Sequence, residues 1–350
     1  MEKKKLQIEN LYQGKKKSQL WIFALLIITV FLAVVSLFIG QYGMSFFDTV
    51  KSVVGINGGV EAENIRKIIL NIRVPRTVAS IVIGGILAIA GLTYQCIFRN
   101  TLVSQDILGV STSSCVGAAL GIVLGWSTLH IQFLAFALGV LNICLIFLLS
   151  SRIKLDKTLS LILSGILIGG AMSSVLALIK YMANPEVHLQ AIVFWTMGDI
   201  SSITLDQLGF IAVPVIVCTV ILFAKSWDLN YFCFVDSEAK SMGFNLARNR
   251  IIFLACATVL VASAVSISGS IGWVGLVIPQ LVRLLIGTNN RYTMPLSFLM
   301  GSSFLLLVDV LNRLISAAEL PVSILSGLLG LPLFVVCWFI NAKHSEVESK

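Results

Sequence analysis

Charged residues are scarce in this chain. Asp, Glu, Lys and Arg make up 12% of its 350 residues, against about 25% in soluble domains. Hydrophobic residues make up 57%, which excludes a soluble or disordered protein and predicts an all-α polytopic membrane protein. The net charge of +8 comes from Lys and Arg at the ends of apolar runs. This distribution indicates membrane topology and excludes a nucleic-acid partner.

Motifs for catalysis and metal binding are also missing. The sequence has no GxxxxGK[ST] nucleotide-binding loop, no GxSxG, no HExxH and no carboxylate pair at catalytic spacing. Its seven cysteines are scattered without a CxxC, and its three histidines lie far apart. Neither a disulfide framework nor a metal site is expected. We therefore expect no enzyme activity and no cofactor in this chain.

Apolar runs of about 20 residues, long enough to cross a bilayer, follow one another along the chain. An even number of spans places both termini on one side, and Lys triplets before the first span predict that this side is cytoplasmic. We expect cytoplasmic tails at 1–19 and 343–350 around one transmembrane domain, 20–342. The ten predicted spans are 20–40, 75–97, 107–126, 129–150, 158–182, 205–224, 251–268, 272–287, 294–315 and 321–341.

Two connections are long enough to carry more than a turn, 41–72 on the outer side and 225–250 on the inner side. Within the second, residues 236–242 have the pattern of a short amphipathic helix, and Gly243 is a plausible C-cap. Two GxxxG lines predict close helix packing within the chain: Gly117, Gly121 and Gly125, and then Gly165 and Gly169.

A stretch that reads GSIGWVGLVIPQLVR combines glycines and a proline with apolar residues. Such a mix is a poor helix in water but is tolerated in a membrane, where neighbouring helices satisfy the backbone. We interpret it as a packing hinge. Gly269, Gly272 and Gly275 allow a tight outer turn, Pro279 weakens the returning helix, and Arg283 anchors that helix towards the cytoplasm.

Three arginines lie at the outer ends of spans, where the positive-inside rule disfavours them. A partner carrying carboxylates would explain Arg73, Arg76 and Arg313. The alternatives are that they reach lipid headgroups, or that Arg313 pairs with Asp309 four residues earlier. Pairing would give Asp309, an acid within an apolar run, a structural role. Pro75 is expected to fix the entry of the second span.

A proton relay would need further acids on neighbouring spans. Only Asp106, Asp199 and Glu319 are candidates, and all three lie near span ends. An ion-coupled secondary transporter is therefore a weak alternative, because it would need coupling carboxylates in the middle of the membrane. A sensor or structural membrane protein without transport is a third possibility.

Several segments, in order, resemble the permease family of type II ABC importers for iron-siderophores, haem and cobalamin. They include RVPRTVASIVIGGILAIAGLTYQCIFRN, QAIVFWTMG, EAKSMG, GSIGWVGLVIPQLVRLL and LVDVLNRLISAAELPVSILSGLLGLPLF. The resemblance covers nearly the whole chain from about Leu20. It implies a permease of about ten helices in the cell membrane. Its partners would be a second permease subunit, identical or homologous, two ATPase subunits that bind ATP and Mg²⁺, and an extracytoplasmic substrate-binding protein.

The resemblance also implies roles for particular residues. The arginines that receive acidic residues of the binding protein correspond to Arg73, Arg76 and Arg313. The cytoplasmic gate maps to Thr158 and Leu159, although cobalamin-type members have hydroxyl residues at both positions. The coupling helix, which contacts the ATPase, corresponds to Asp236, Glu238, Ala239, Lys240, Ser241, Met242 and Gly243.

The chain departs from the family pattern at several positions. Ser270 stands where Pro is usual, Trp273 where Phe is usual, and Gln280 where His is usual. None of these departures removes a charge that the resemblance assigns to docking or coupling. An iron-siderophore is the first expected substrate, because such systems are numerous, with haem the second and cobalamin the third. The sequence itself does not choose among them.

Overall fold

A computed structural model describes residues 2–40, 60–315 and 320–348 of the chain. All regular elements within these ranges are helical, as the composition predicts. Short π-helical turns cover Ile69–Arg73 and Pro185–Leu189, and a 3-10 turn covers Asp228–Cys233. The α-helices are α1 (Glu2–Phe38), α2 (Val60–Ile68), α3 (Val74–Phe98), α4 (Val110–Val123), α5 (Thr128–Ser150), α6 (Lys157–Met182), α7 (Gln190–Met197), α8 (Leu205–Ala224), α9 (Asp236–Ser241), α10 (Leu246–Ser268), α11 (Val274–Ile286), α12 (Asn290–Ile315) and α13 (Val322–Glu348).

The ten predicted spans correspond in order to ten of these helices. Within the described ranges, eight helices are long and apolar enough to cross a membrane. The other two, α4 and α11, have 14 and 13 residues, so the predicted spans 107–126 and 272–287 were too long. Both helices begin after a residue of positive φ, Gly109 at 69° and Trp273 at 71°, which a continuing helix does not allow.

Helix α3 is the centre of the bundle. It contacts α10, α11 and α12, and 83% of its most apolar window is buried. Small residues allow these contacts, because a Cβ on Gly84 would collide with the Gly301 carbonyl of α12 and a Cβ on Gly91 with the Gly275 carbonyl of α11. The backbones of α3 and its neighbours therefore touch directly.

The two GxxxG lines pack helices together, as predicted, except at one position. Gly117 and Gly121 lie against α5, while Gly165 and Gly169 lie against the turn that precedes α4. A side chain at any of the four would meet backbone or buried side-chain atoms. The prediction for Gly125 was wrong: it follows the end of α4 with φ 67°, and no heavy atom lies within 4 Å of its Cβ position.

Two helix starts differ from the predicted ones. Pro75 lies in the first turn of α3, as predicted, but the helical path before it runs without a break from Val60. The π turn at Ile69–Arg73 precedes the proline and accommodates its missing N–H. Helix α1 begins at Glu2, well before the apolar run, since the Lys and Glu residues of this tail favour helix almost as strongly as apolar residues do.

Candidate functional site

Asp309 of α12 lies between two arginines. Its Oδ1 accepts a hydrogen bond from Nε of Arg76 on α3 at 2.6 Å, and its Oδ2 accepts from Arg313, one turn further along α12. Asp309 is fully buried. The predicted pairing of Asp309 with Arg313 is confirmed. The second cation was not foreseen, because Arg76 precedes Asp309 by 233 positions and only packing of α3 on α12 brings them together.

The end of α1 lies beside this ion pair. Arg313 Nη1 donates to the Ser36 carbonyl at 2.8 Å. Arg73 Nη1 donates to the Leu37 carbonyl at 2.7 Å and to the Phe38 carbonyl at 3.1 Å. These are the C-terminal carbonyls of a helix, which lack intrahelical donors and carry a partial negative charge. We call Ser36, Arg73, Arg76, Asp309 and Arg313 the arginine cluster.

The three arginines predicted to dock a binding protein thus meet at one end of the bundle. Their exposed fractions are 4% for Arg73, 4% for Arg76 and 8% for Arg313. The guanidinium groups contact α1 and Asp309 within the chain. Docking stays a prediction, and it now requires either their exposed edges or a rearrangement of the arginine cluster.

Asp199 does not extend a proton path from Asp309. Asp199 accepts from the backbone N–H of Ser201 at 2.8 Å and from its hydroxyl at 2.7 Å, which closes the turn after α7. Glu319 lies outside the described residues. Both oxygens of Asp309 are held by arginines, so this carboxylate is placed for a structural role.

The predicted coupling helix is present as α9, at the opposite end of α3 from the arginine cluster. Gly243 ends it with φ 79°, and its N–H donates to the Lys240 carbonyl at 3.0 Å. The N–H of Phe244 donates to the Ala239 carbonyl at 3.0 Å. These two bonds form a Schellman motif, so the C-cap prediction is confirmed. At the start of the helix, Glu238 accepts from a backbone N–H at 3.3 Å.

The side chains of α9 divide between the bundle and the outside. Ala239 is fully buried, which fixes the helix against its neighbours. The other residues of the predicted coupling site are exposed: Asp236, Glu238, Lys240, Ser241, Met242 and Gly243. Such an exposed set can contact a partner without any change in α9 itself.

Arg99 connects α9 to α3, a contact between distant residues that no sequence pattern predicts. It follows the last turn of α3 with φ 49°, a left-handed conformation that turns its side chain away from the helix path. Its guanidinium donates to the carbonyls of Phe232 and Phe234 and to Asp236 Oδ1, the last at 3.0 Å. Helix α3 thus joins the arginine cluster to the coupling helix over about 35 Å.

The predicted gate residues occupy the first turn of α6. Thr158 donates its backbone N–H to Asp156 Oδ2 at 2.9 Å, so Asp156 is the N-cap of this helix. The same bond holds the pKa of the Asp156 carboxyl below its usual value. Leu159 is 52% exposed. The cap fixes the start of α6, and Leu159 projects from it.

The three glycines of the predicted hinge are not equivalent. Gly269 has φ 67° and ψ −169°, and a Cβ there would collide with the Trp195 carbonyl. Gly275 packs against α3. Gly272 has no heavy atom within 4 Å of its Cβ position, so packing does not require a glycine there. The tight turn rests on Gly269 and Gly275.

Helix α11 stays continuous through Pro279 because α3 supplies the missing donor. Pro279 has no N–H for the Gly275 carbonyl four residues earlier. Gln95 Nε2 of α3 donates to that carbonyl at 3.2 Å and to the Leu276 carbonyl at 3.1 Å. Arg283 Nη1 in turn donates to Gln95 Oε1 at 2.6 Å, which orients the amide. Arg283 therefore fixes α11 to α3.

Two departures from the family pattern have defined contacts. Trp273 adopts φ 71°, unusual for a residue with a side chain, and its ring lies over Gly327 and Gly330 of α13. Gln280 Nε2 donates to the Thr101 carbonyl at 2.9 Å in the loop after α3. Both side chains tie α11 to neighbouring elements.

A family model described as the FecCD transport family matches residues 26–339. This chain belongs to the FecCD transport family. Among FecCD-type relatives, the molybdate import system permease protein MolB of Haemophilus influenzae is 37% identical over 316 residues, 90% of this chain and 94% of that one. A Helicobacter pylori protein named "Probable iron chelatin transport system permease protein" is 34% identical over 310 residues, 87% of this chain and 94% of that one.

Further comparisons agree with the FecCD assignment. The hemin transport system permease protein HmuU of Yersinia pestis is 31% identical over 340 residues, 95% of this chain and 98% of that one. A solved structure described as "An inward-facing conformation of a putative metal-chelate type ABC transporter" matches with TM-score 0.81 and 36% identity, over 92% of this chain and 99% of that one. This FecCD protein is a permease subunit of an ABC importer, which decides against an ion-coupled secondary transporter.

Proposed function

We propose that this permease imports an iron-siderophore chelate, received from an extracytoplasmic binding protein and moved by a partner ATPase. The similarity that carries the proposal is the match to the metal-chelate type transporter along nearly the whole of both chains. Haem and cobalamin remain the second and third substrates. Molybdate is a further candidate, because a molybdate permease is a relative at 37% identity.

A second permease subunit is part of the proposal, and α6 is the surface that supports it. The most apolar window of α6 is only 11% buried, against 83% in α3. The exposed middle of α6 carries small residues, including Gly170, Ser173, Ser174 and Ala177. Large apolar side chains such as Leu167 and Leu178 are exposed on the same helix, beside these small residues. Small residues are typical of helix–helix contacts in membranes.

The same face supports a substrate path between the two subunits. It runs from the predicted gate at Thr158 and Leu159 into the middle of the bilayer, and its glycine and serine residues leave room for a large chelate. Ser174 donates its hydroxyl to the Gly170 carbonyl at 3.0 Å, so this face carries hydroxyl groups without charge. Closure by Leu159 and its counterpart in the second subunit would separate the path from the cytoplasm.

We assign energy coupling to α9 and place ATP and Mg²⁺ in the partner ATPase. The exposed residues of α9 would fill a groove in that partner, and the Schellman cap keeps the helix rigid while it moves. Arg99 then carries the movement into α3. In this orientation α9 and both termini face the cytoplasm, and the arginine cluster faces the binding protein.

Reconstitution tests this proposal. The permease is purified with its ATPase and binding protein, placed in liposomes, and offered a ferric siderophore, haem, cobalamin and molybdate in parallel. We expect ATP-dependent uptake of the ferric siderophore, with a catalytically dead ATPase as the control. Uptake of one of the other three would reassign the substrate. Uptake that follows an ion gradient without ATP would overturn the proposal itself.

A further inference from the structure

Two adjoining cavities lie at the end of the bundle that carries α9. The first has a volume of about 410 Å³ and is bounded by α9, Gly243 and the first turn of α10. The second, of about 330 Å³, lies between the connection from α5 to α6 and the same turn of α10. Both are lined by Lys157, Ala247 and Arg250. We call the pair the basic cavity.

Arg250 is the residue that requires an explanation. It is 4% exposed, yet its best ion-pair contact among the described residues is Asp236 Oδ2 at 3.7 Å. Its Nε has no hydrogen-bond partner in the described part of the chain. A buried guanidinium with an unmet donor is costly. An anionic group in the basic cavity would supply this guanidinium with a further counter-charge.

The charges around Arg250 favour an anion. The first cavity is lined by the cations Lys157, Lys240 and Arg250 and by one carboxylate, Asp236. That carboxylate already accepts from Arg99 at 3.0 Å, which leaves Arg250 only partly neutralised. The first turns of α6 and α10 also meet here, and helix N-termini attract negative charge. Asp156, which caps α6, adds a second negative charge near Arg250 without an ion-pair contact to it, so three cations face two acids here.

The second cavity adds an apolar wall to this basic site. Phe147, Leu155, Leu161 and Ile251 line it together with hydroxyl groups such as that of Ser160. These residues lie where three membrane-spanning helices end, which is the depth of lipid headgroups. A soluble anion would gain no binding energy from the apolar wall, whereas a lipid would place its headgroup among the basic residues and its acyl chains against the wall.

We propose that the basic cavity binds the phosphodiester headgroup of an anionic phospholipid, with Arg250 and Lys157 on the phosphate and the apolar wall against the start of the acyl chains. Basic pockets between helix ends on the cytoplasmic side suit such headgroups. The bound lipid would sit between α9 and the first turn of α6, and so would join the coupling helix to the predicted gate. The site rests on the membrane-spanning fold and not on the identity of the cargo.

The test measures lipid binding to the full-length permease, without transport. Delipidated protein is titrated with phosphatidylglycerol or with phosphatidylcholine and examined by native mass spectrometry. We expect phosphatidylglycerol to bind more tightly. K157Q and R250Q should each lower the affinity for phosphatidylglycerol about fivefold, because one basic side chain near a membrane surface contributes about that factor to binding. R248Q is the matched control, since Arg248 is exposed two positions from Arg250 and does not line the cavity.

Three results would overturn the proposal. Equal affinity for phosphatidylglycerol and phosphatidylcholine would show that headgroup charge does not determine binding. If R248Q lost as much affinity for phosphatidylglycerol as K157Q, the lipid would be attracted by the general surface charge and not by the cavity. Displacement of phosphatidylglycerol by inorganic phosphate alone would identify a site for a soluble anion. Because Lys157 is exposed, K157Q is expected to fold even if R250Q does not, and neither readout depends on which substrate the importer carries.

Discussion

Arg76 and Asp309 form a buried ion pair, with 2.6 Å between Nε and Oδ1, at the junction of α3 and α12. Arg313 holds the other carboxylate oxygen. The intramembrane acid that first suggests a proton carrier therefore holds two arginines and, through them, the end of α1. Substitutions at single residues of the cluster and of α9 can separate this structural role from docking and from coupling.

Replacing Asp309 by Ala should destabilise the permease by about 3–5 kcal/mol, since two buried arginines would lose their counter-charge. Thermal unfolding of the purified protein in detergent measures this. E63A is the control, because Glu63 pairs with Lys67 at 2.8 Å on the surface, where both side chains are more than 60% exposed. Equal stability of D309A and the wild type would contradict the structural role of the arginine cluster.

The R73Q variant should bind the binding protein about tenfold more weakly, because one charge-assisted hydrogen bond contributes about that factor to affinity. Arg73 suits this test better than Arg76, because it contacts helix carbonyls rather than Asp309. Affinity is measured by surface plasmon resonance on permease in nanodiscs. The matched control is R66Q, since Arg66 is exposed nearby. If both variants bind like the wild type, the docking prediction for Arg73 is wrong.

Replacing Arg99 by Gln should lower uptake per ATP hydrolysed by about fivefold or more, a typical coupling energy between two sites. The change removes the link from α3 to Asp236 and to the carbonyls before α9. Uptake and ATP hydrolysis are measured on the same liposomes. R291Q is the control at an exposed arginine. Unchanged coupling in R99Q would show that α3 does not transmit the movement of α9.

At Gly243, Val and Asn should behave differently. The residue has φ 79° with no heavy atom within 4 Å of its Cβ position, so the cost of substitution is conformational rather than steric. Val resists this conformation, while Asn tolerates it. G243V should uncouple ATP hydrolysis from uptake, and G243N should retain most of the coupling. The same loss in both variants would mean that the C-cap geometry is not what coupling requires.

G269A and G272A form a matched pair in the turn between α10 and α11. Gly269 occupies a backbone region that is nearly exclusive to glycine and touches the Trp195 carbonyl, so G269A should cost at least about 1–3 kcal/mol. Gly272 is open on its Cβ side, so G272A should leave the unfolding temperature unchanged. Comparable destabilisation by both would contradict the assignment of the turn to Gly269.

Local sequence determined the spans and the coupling helix. Hydrophobicity is a property of each segment, and a bilayer selects apolar runs of a fixed length, so ten helices could be placed in order from composition alone. Gly243 also acts locally, because a Schellman motif involves only neighbouring residues. The pairing of Asp309 with Arg313 is also a local interaction that the sequence predicts, since one helical turn separates the two residues.

Only the tertiary structure decided which distant residues meet. The sequence marks Arg76 and Arg99 as charges at the two ends of one span, without naming Asp309 and Asp236 as their partners. The sequence shows that Pro279 removes a backbone hydrogen bond from α11, but the side-chain amide of Gln95 that replaces this bond comes from α3. The unmet donor of Arg250 is likewise visible only once α5, α6 and α10 are packed. These contacts depend on helix packing, which is set by close approach of small residues far apart in the chain.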